Sequence, residues 1–371
     1  MATDFFDKRS DSSALKAQIV VKYLVAWGRV VAPRADEHVV YFDPFCGRGA
    51  YRDGSRSTPL LVIEAASSVQ ALREKLMIVF RDAQEAYCFD LTTSMAKMPE
   101  TGAFAHRPIA VCEEVDAALG QQFAGTTLSP TFAFLDPCGY KGLTLELINS
   151  LVKDWGCDCL IFFNYSRINA ALTNPKVRDH MEALFSPSGL VDLRERVKGQ
   201  TPRDREWIAM RFFEDLLLNQ GPSQYVRWFR FLRSGVDRTS HYLMFVSKSF
   251  RGYDIMKQIM AAEGKFSPEG VPLFEFDPQE PDYVQTGLFD ESRLDDLAKG
   301  LMDELPSRML NVQEIYRSHS PGTDYIPDNY KSALRSLEEK GVVRCDPPAI
   351  ERPMRKGVRT MADGTLVTFP R

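Results

Sequence analysis

The reading of this chain turns on residues His38–Gly54, HVVYFDPFCGRGAYRDG. Val39–Phe42 is a short unbroken apolar run, the pattern of a strand covered on both faces. The run stops at Asp43, and a small-residue turn carrying Phe45, Gly47 and Gly49 follows where the next helix is expected to begin. In an open parallel sheet the ligand lies beyond the carboxyl ends of the strands. An acid followed by two glycines, which let a ligand approach the backbone, is therefore a candidate cofactor turn. It is not a phosphate grip: no lysine follows in the order G-x-x-x-x-G-K, and Arg52 stands where G-x-G-x-x-G needs its last glycine. A cofactor without phosphates is expected. S-adenosylmethionine (SAM), with its ammonium group, sugar diol and purine edge, has more use for acids than a dinucleotide has.

The same pattern recurs downstream. LMIVFRD (Leu76–Asp82), PIAVCEE (Pro108–Glu114), TFAFLDP (Thr131–Pro137) and CLIFFN (Cys159–Asn164) are apolar runs that end on polar residues. Helical patterns over Pro59–Lys75, Gln84–Lys97, Val115–Gln122 and Leu145–Lys153 separate them, and a further one over Ser13–Val31 precedes them with Ser12 or Ser13 as its cap. Strands alternating with crossover helices predict a parallel sheet. Residues 168–221 read as a helical insertion. Tyr225–Lys248 then reads as an antiparallel hairpin, and Tyr253–Gly264 as a helix. Five parallel strands closed by an antiparallel hairpin are the plan of a class I SAM-methyltransferase sheet, a Rossmann-type α/β fold. The acids at successive strand ends, Asp43, Asp82, Glu113 or Glu114, and Asp136, are the candidate cofactor and acceptor groups, although strand ends are often acidic without any such role.

The fourth strand ends FLDPCGYKG (Phe134–Gly142), similar to the D/N-P-P-Y/F turn of amino-methylating enzymes. In that turn the acid and a proline carbonyl receive the target amine and the aromatic ring stacks on the base, which assigns Asp136, Pro137 and Tyr140. Cys138 and Gly139 replace the second proline, and the tyrosine comes one place late. A rival reading makes Cys138 the nucleophile of a cytosine-C5 methyltransferase; the plainest makes it a small side chain packed in a turn. Asn164, at the fifth strand end, would line the same cleft. Cys157 and Cys159 are too closely spaced to chelate, so no metal is expected.

Residues 265–285, rich in Pro, Asp and Glu, read as a linker between a domain at 1–264 and one at 286–371. The latter has helical patterns at Glu291–Leu305, Asn311–Ser318 and Asp328–Lys340. Two strands follow, joined by the basic turn RPMRKGVRTMADG (Arg352–Gly364), which together predict a winged helix-turn-helix. Arg352, Arg355, Lys356 and Arg359 at the wing, and Arg203 and Arg205 in a basic stretch from Arg194 to Arg238, are the candidate phosphate contacts.

The 371 residues are 44% hydrophobic and 26% charged with a net charge of −4, which excludes a uniformly basic nucleic-acid coat but not a local basic face. No apolar run approaches the roughly 18 residues of a membrane span. The charged start has no signal-peptide core, and seven scattered cysteines read as reduced thiols; a cytoplasmic location is expected.

Tyr41–Gly54 with Ser57–Leu60, FLDPCGYKGL (Phe134–Leu143) and FFNYSRINAAL (Phe162–Leu172) resemble the three-Cys-motif partner family. Phe5–Trp27, Asn329–Val343 and Lys356–Phe369 extend the resemblance over nearly the whole chain. It implies a methyltransferase-like domain, a C-terminal winged helix and a separately encoded three-cysteine protein as partner; it does not imply a reaction. Two functions remain open from the sequence. One is a SAM-dependent methyltransferase acting on nucleic acid, DNA or RNA, or on a nucleobase-like group. The other is an inactive methyltransferase-fold module that docks DNA or protein through its winged helix.

Overall fold

The computed structural model describes residues 9–233, 236–278, 293–355 and 357–371. The five apolar runs form parallel strands: β1 (Val39–Asp43), β2 (Leu76–Asp82), β3 (Ile109–Cys112), β4 (Thr131–Leu135) and β5 (Asp158–Phe163). The predicted hairpin forms β6 (Tyr225–Arg233) and β7 (Val236–Ser247), with β7 antiparallel to β5, Asp158 opposite Ser247 and Phe163 opposite Tyr242. The order is β3-β2-β1-β4-β5-β7-β6, and a two-residue strand, β8 (Glu275–Phe276), follows β6. This is the class I methyltransferase order. β1 pairs with β2 on one side and β4 on the other, so the direction of winding reverses between β1 and β4, where an open α/β sheet presents its crevice. Burial follows position: every residue of β4 is buried, whereas β3, at the edge, exposes Ile109 and Cys112 despite its apolar sequence.

Helix α1 (Asp11–Val31) starts two residues before the expected Ser13, because the Ser10 hydroxyl accepts the Ser13 N–H at 3.1 Å and caps the end. Its inner face buries Val20, Tyr23 and Trp27, and the Tyr23 hydroxyl donates to Asp158 at 2.7 Å. The pattern over Pro59–Lys75 divides into α2 (Thr58–Ser67) and α3 (Gln70–Lys75), because Val69 adopts extended backbone and turns its side chain inward. Helices α4 (Glu85–Ala96), α5 (Ala117–Ala124) and α6 (Leu145–Val152) are the remaining crossovers.

The insertion consists of α7 (Tyr165–Ala171), α8 (Arg178–Phe185), α9 (Pro187–Val197) and α10 (Pro202–Asn219). Phe185, Leu193, Phe213 and Leu217 join Phe163 and Met244 in one core, with Phe213 stacked on Phe163 at 4.9 Å between ring centroids. Each such side chain, fully buried, stabilises the fold by roughly 2–3 kcal/mol. The insertion is thus part of the domain core. Helix α11 (Phe250–Glu263) follows β7.

By contacts the chain divides into two compact units, Met1–Ile259 with Phe276–Gln279, and Met260–Glu275 with Glu280–Arg371. The composition read as a linker does not remain extended over its described part. The Leu273 N–H donates to the Lys265 carbonyl and the Lys265 N–H to the Glu275 carbonyl across a tight loop, and Val271 and Phe274 are buried; residues 279–285 of that reading lie outside the described residues. The second unit holds α12 (Arg293–Glu304), α13 (Val312–His319) and α14 (Pro327–Glu339); the first two residues of the helix expected from Glu291 lie outside the described residues. Asn311 and Glu314 form a capping box at the start of α13.

The wing differs from the two-stranded expectation. A third strand, β9 (Met309–Asn311), pairs with β13 (Leu366–Thr368), which pairs with β10 (Arg344–Asp346). Three residues were too few to show an alternation. The basic turn forms a separate small hairpin of β11 (Met354–Arg355) and β12 (Val358–Arg359). No helix among the described residues is long and apolar enough to cross a membrane.

Candidate functional site

A cavity of about 740 Å³ opens beyond the carboxyl ends of β1, β2, β4 and β5. Its turns are built by the acids that end the strands. Asp43 is buried, and its Oδ1 accepts the Phe45 N–H at 3.1 Å, which bends the chain sharply out of β1. Asp82 ties that turn to β2: its Oδ2 accepts the Gly47 N–H at 3.0 Å and its Oδ1 accepts the Gln84 N–H at 2.9 Å. Gly47, at a φ of 67°, is in the left-handed region that glycine enters without steric cost.

Asp136, leaving β4, is paired with Lys16 of α1. The ammonium group also lies over the Phe162 ring, 4.7 Å from its centroid. Burial, and then the charge of Asp136, pushes the Asp43 carboxyl well above the usual carboxylate range. Asn164 lines the cavity while its Oδ1 caps α7, accepting the Arg167 N–H at 3.2 Å. Arg167 in turn donates to the Cys138 carbonyl at 3.1 Å and fixes the loop after Pro137.

Two contributors were absent from the sequence reading. Lys16 sits on the buried face of α1, four residues before Val20 and seven before Tyr23; a lysine in that stripe was the available signal. His241 of β7 stacks on Phe231 at 4.4 Å and lies 4.3 Å from Phe162. Burial, helped by the Lys16 charge, lowers its pKa to about 3, and its Nε2 has no hydrogen-bond partner among the described residues. Nothing in the sequence around His241 distinguished it, because its neighbours come from three strands.

Asp43, Phe45, Gly47 and Asp82 line the cavity, as do Glu114, Asp136, Pro137, Cys138 and Asn164. Three expected residues do not. Gly49 also has positive φ, 83°, but a Cβ there would meet Leu91 Cδ1 at 2.6 Å, so its smallness serves packing. Glu113 lies at the surface and pairs with Arg81 at 2.8 Å; Glu114, paired with Lys141, is the acid of the two that reaches the cleft. Tyr140 faces the insertion, its ring 6.0 Å from that of His180, so the one-place offset from the amino-methylating turn carries it away from the acceptor side.

The basic candidates also divide. Arg352 is buried and paired with Glu338, which contradicts its assignment to an exposed wing tip. Arg359 donates to the Arg352 carbonyl at 2.8 Å, Arg355 is exposed, and Lys356 lies outside the described residues. Arg205 is engaged with Asn169 Oδ1 at 3.0 Å and the Val197 carbonyl at 3.4 Å, a structural role in place of a phosphate contact. Arg203 lines a second cavity.

Residues 274–350 match the family described as the GMT-like wHTH domain. Similar solved structures include a Legionella pneumophila protein of the DUF519 family, at 12% identity and a TM-score of 0.37 over 67% of this chain and 86% of that one. The O-methyltransferase TomG of Streptomyces achromogenes, in complex with SAM, is 10% identical with a TM-score of 0.31 over 66% and 93%. The N-methyltransferase NodS of Bradyrhizobium japonicum is 8% identical with a TM-score of 0.32 over 65% and 100%. No curated protein matches the chain. Likeness at this level adds nothing to the strand order, which identifies a methyltransferase-like fold by itself.

Proposed function

We propose that the chain is a SAM-dependent methyltransferase acting on nucleic acid or a nucleobase-like acceptor. The observation that carries this reading is the donor set of the cavity at the reversal of strand order. Asp82, Glu114 with its partner Lys141, and buried Asp43 once it has lost its proton give the β1–β3 side acids that suit a cofactor bearing an ammonium and a sulfonium charge. Asp43, Phe45 and Gly47 would hold the amino-acid end, Asp82 the sugar diol and Glu114 the purine edge. When bound, the cofactor supplies an electrophilic methyl group.

Asp136 and Asn164 line the other end and would orient the acceptor, with the Pro137 carbonyl, which already accepts the Gly139 N–H at 2.7 Å, offering its second lone pair. His241, with a pKa of about 3, is too weak a base to take a proton at neutral pH, and its Nε2 is left to position a polar group. What these residues contribute is orientation and exclusion of water. In the same proposal the methyltransferase-like domain spans 1–264 and the winged helix 286–371. The resemblance in sequence supports a three-Cys-motif protein as partner.

One observation favours the second reading, a module that binds without transferring methyl. Lys16 already occupies Asp136, the acid that an amine acceptor would need. Titration calorimetry with SAM and with its demethylated product separates the two, since binding of neither would leave only the module. Incubation with labelled SAM and RNA, DNA and protein fractions, with and without the three-cysteine protein, identifies the acceptor class.

A further inference from the structure

A second cavity, of about 590 Å³, lies between α7, the start of α10 and the ends of β6 and β7. Arg203, Arg230, Arg233 and Arg238 line it, with Glu206 as the only acid on its wall among the described residues. That acid is committed within the fold. Its Oε1 accepts the Tyr242 hydroxyl at 2.5 Å and the Thr239 hydroxyl, with Arg230 Nε 3.5 Å away. Arg233 reaches Ser166 Oγ at 3.3 Å, and Arg203 and Arg238 are exposed. Arg230 also donates to the Thr239 hydroxyl at 2.6 Å, so Glu206 offsets its charge and leaves Arg203, Arg233 and Arg238 as three guanidinium groups around one concavity, whose mutual repulsion a bound anion would relieve. The start of α10, an 18-residue helix, adds the positive end of its dipole at Thr201 and Pro202 on the cavity wall.

This cavity adjoins the cleft. Asn164 lines the cleft and Tyr165 and Ser166 line the arginine cavity; Ser240 lines the cleft and Thr239 the arginine cavity. Ser166 Oγ bridges the carbonyls of Thr239 and Ser240 at 3.4 and 3.5 Å, so the two cavities share a thin wall at the acceptor end. One helical turn beyond Arg203, Trp207 leaves 59% of its surface exposed. The Arg211 guanidinium lies over this indole, 5.7 Å from the ring centroid, and the exposed remainder of the ring offers a stacking surface for a base.

We propose that the arginine cavity is a phosphate-binding subsite for a nucleotide acceptor in single-stranded nucleic acid. The acceptor base enters the cleft, its phosphate meets the arginine forks, and a neighbouring base stacks on Trp207. Guanidinium groups grip phosphate oxygens bidentately, which recommends arginine over lysine here. Only the placement of the base rests on the methyl-transfer reading; the charge and shape of the subsite stand without it.

The test uses the full chain. Calorimetry compares a nucleoside 5′-monophosphate with the same nucleoside lacking phosphate. Fluorescence anisotropy measures short single-stranded DNA and RNA oligonucleotides at several salt concentrations. The wild type is expected to prefer the phosphate-bearing member of the pair. Arg203→Ala/Arg238→Ala is expected to weaken oligonucleotide binding about ten-fold or more and to lower the logarithmic salt slope by about 1.4 units, about 0.7 for each of two contacts on a single strand. SAM affinity and melting temperature should stay unchanged, as both arginines are exposed. Arg203→Lys/Arg238→Lys should lie between the two, and Trp207→Ala should weaken the oligonucleotides roughly ten-fold while sparing the monophosphate. The proposal is overturned if the double alanine variant binds monophosphate and oligonucleotide as the wild type does. It is equally overturned if no nucleotide binds while a phosphopeptide does. Failure of SAM binding with arginine-dependent nucleotide binding intact would remove the methyl-transfer reading alone. SAM binding with arginine-independent nucleotide binding would remove the subsite alone.

Discussion

Gly49→Ala separates packing from cofactor binding in the turn after β1. The residue sits at a φ of +83°, and an added Cβ would stand 2.6 Å from Leu91 Cδ1, in a region where Leu91 is fully buried. Left-handed backbone costs a residue with a Cβ about 1–2 kcal/mol. Inserting a methyl group into a filled core costs about 1–3 kcal/mol more, so a loss of about 2–5 kcal/mol is expected. Urea denaturation followed by circular dichroism measures it. Leu91→Ala supplies the control: alone it costs about 2–5 kcal/mol, but it makes room for the methyl group introduced at position 49. The double variant should therefore be more stable than the sum of the singles predicts by about 1–3 kcal/mol. SAM affinity of the folded Gly49→Ala protein should stay within a few-fold of wild type, because Gly49 does not line the cleft. A stability loss below about 1 kcal/mol, with SAM binding lost, would refute the reasoning and return Gly49 to the cofactor turn.

Asp43→Asn should weaken SAM binding about ten-fold or more and remove its pH dependence; the wild-type affinity should rise with pH through the elevated range in which Asp43 loses its proton, as read by calorimetry at several pH values. His241→Phe tests the buried imidazole. With a folded pKa of about 3, the wild-type histidine contributes stability that is fully present above its unfolded pKa and is lost as pH falls towards 3, about 2 kcal/mol between pH 6.5 and 5. Asp158, raised by burial to about 6, acts in the opposite direction, so the quantity to measure is the difference between wild-type and His241→Phe stability against pH. Cys138→Ser should keep substantial methyl transfer and Asp136→Asn should not, in an assay of labelled methyl incorporation; covalent trapping of a fluorinated cytosine would instead make Cys138 the nucleophile. Arg352→Ala should destabilise the C-terminal unit by about 3 kcal/mol, because it leaves Glu338 without its buried partner. Arg355→Ala should leave melting unchanged and lower the salt slope of nucleic-acid binding by about one unit.

The sheet was legible because β1, β4 and β5 are almost wholly buried and β2 is apolar through its first five residues, so composition alone identifies these four strands. The hairpin was legible because its turn residues separate two long β-rich runs. Most of the strand-end residues also reached the cleft, since the carboxyl ends of parallel strands necessarily face one side. What the sequence concealed depends on which way single residues point. Glu113 and Glu114 are adjacent, yet one pairs with Arg81 at the surface and the other lines the cavity. Gly47 and Gly49 share a positive φ, yet only the first faces the cavity. Arg352 looked like one cation of four in a basic turn, whereas Glu338, 14 residues earlier, draws it inward. Lys16 and His241 lie far from the motifs in sequence, and folding alone brings them to the Asp136 loop.

The net charge of −4 conceals a division of sign within one domain. Asp43, Asp82 and Glu114 face the cleft on the β1–β3 side, while Arg203, Arg230, Arg233 and Arg238 face the adjoining cavity. The wall between them is formed by Asn164–Ser166 and Thr239–His241 and carries no full charge, because burial keeps His241 neutral at physiological pH. Lys16, Lys141 and Arg167 also line the cleft; Lys141 offsets Glu114, and Lys16 offsets Asp136, the acid nearest the wall. A cationic group seated by the β1–β3 acids and an anionic group seated by the arginines would then meet across a neutral strip. That arrangement suits transfer from a positively charged donor to an uncharged base carried on a phosphate backbone. A small neutral acceptor would leave the arginine cavity unfilled. The opposed charges of the two cavities therefore favour a nucleotide acceptor more strongly than either cavity does alone.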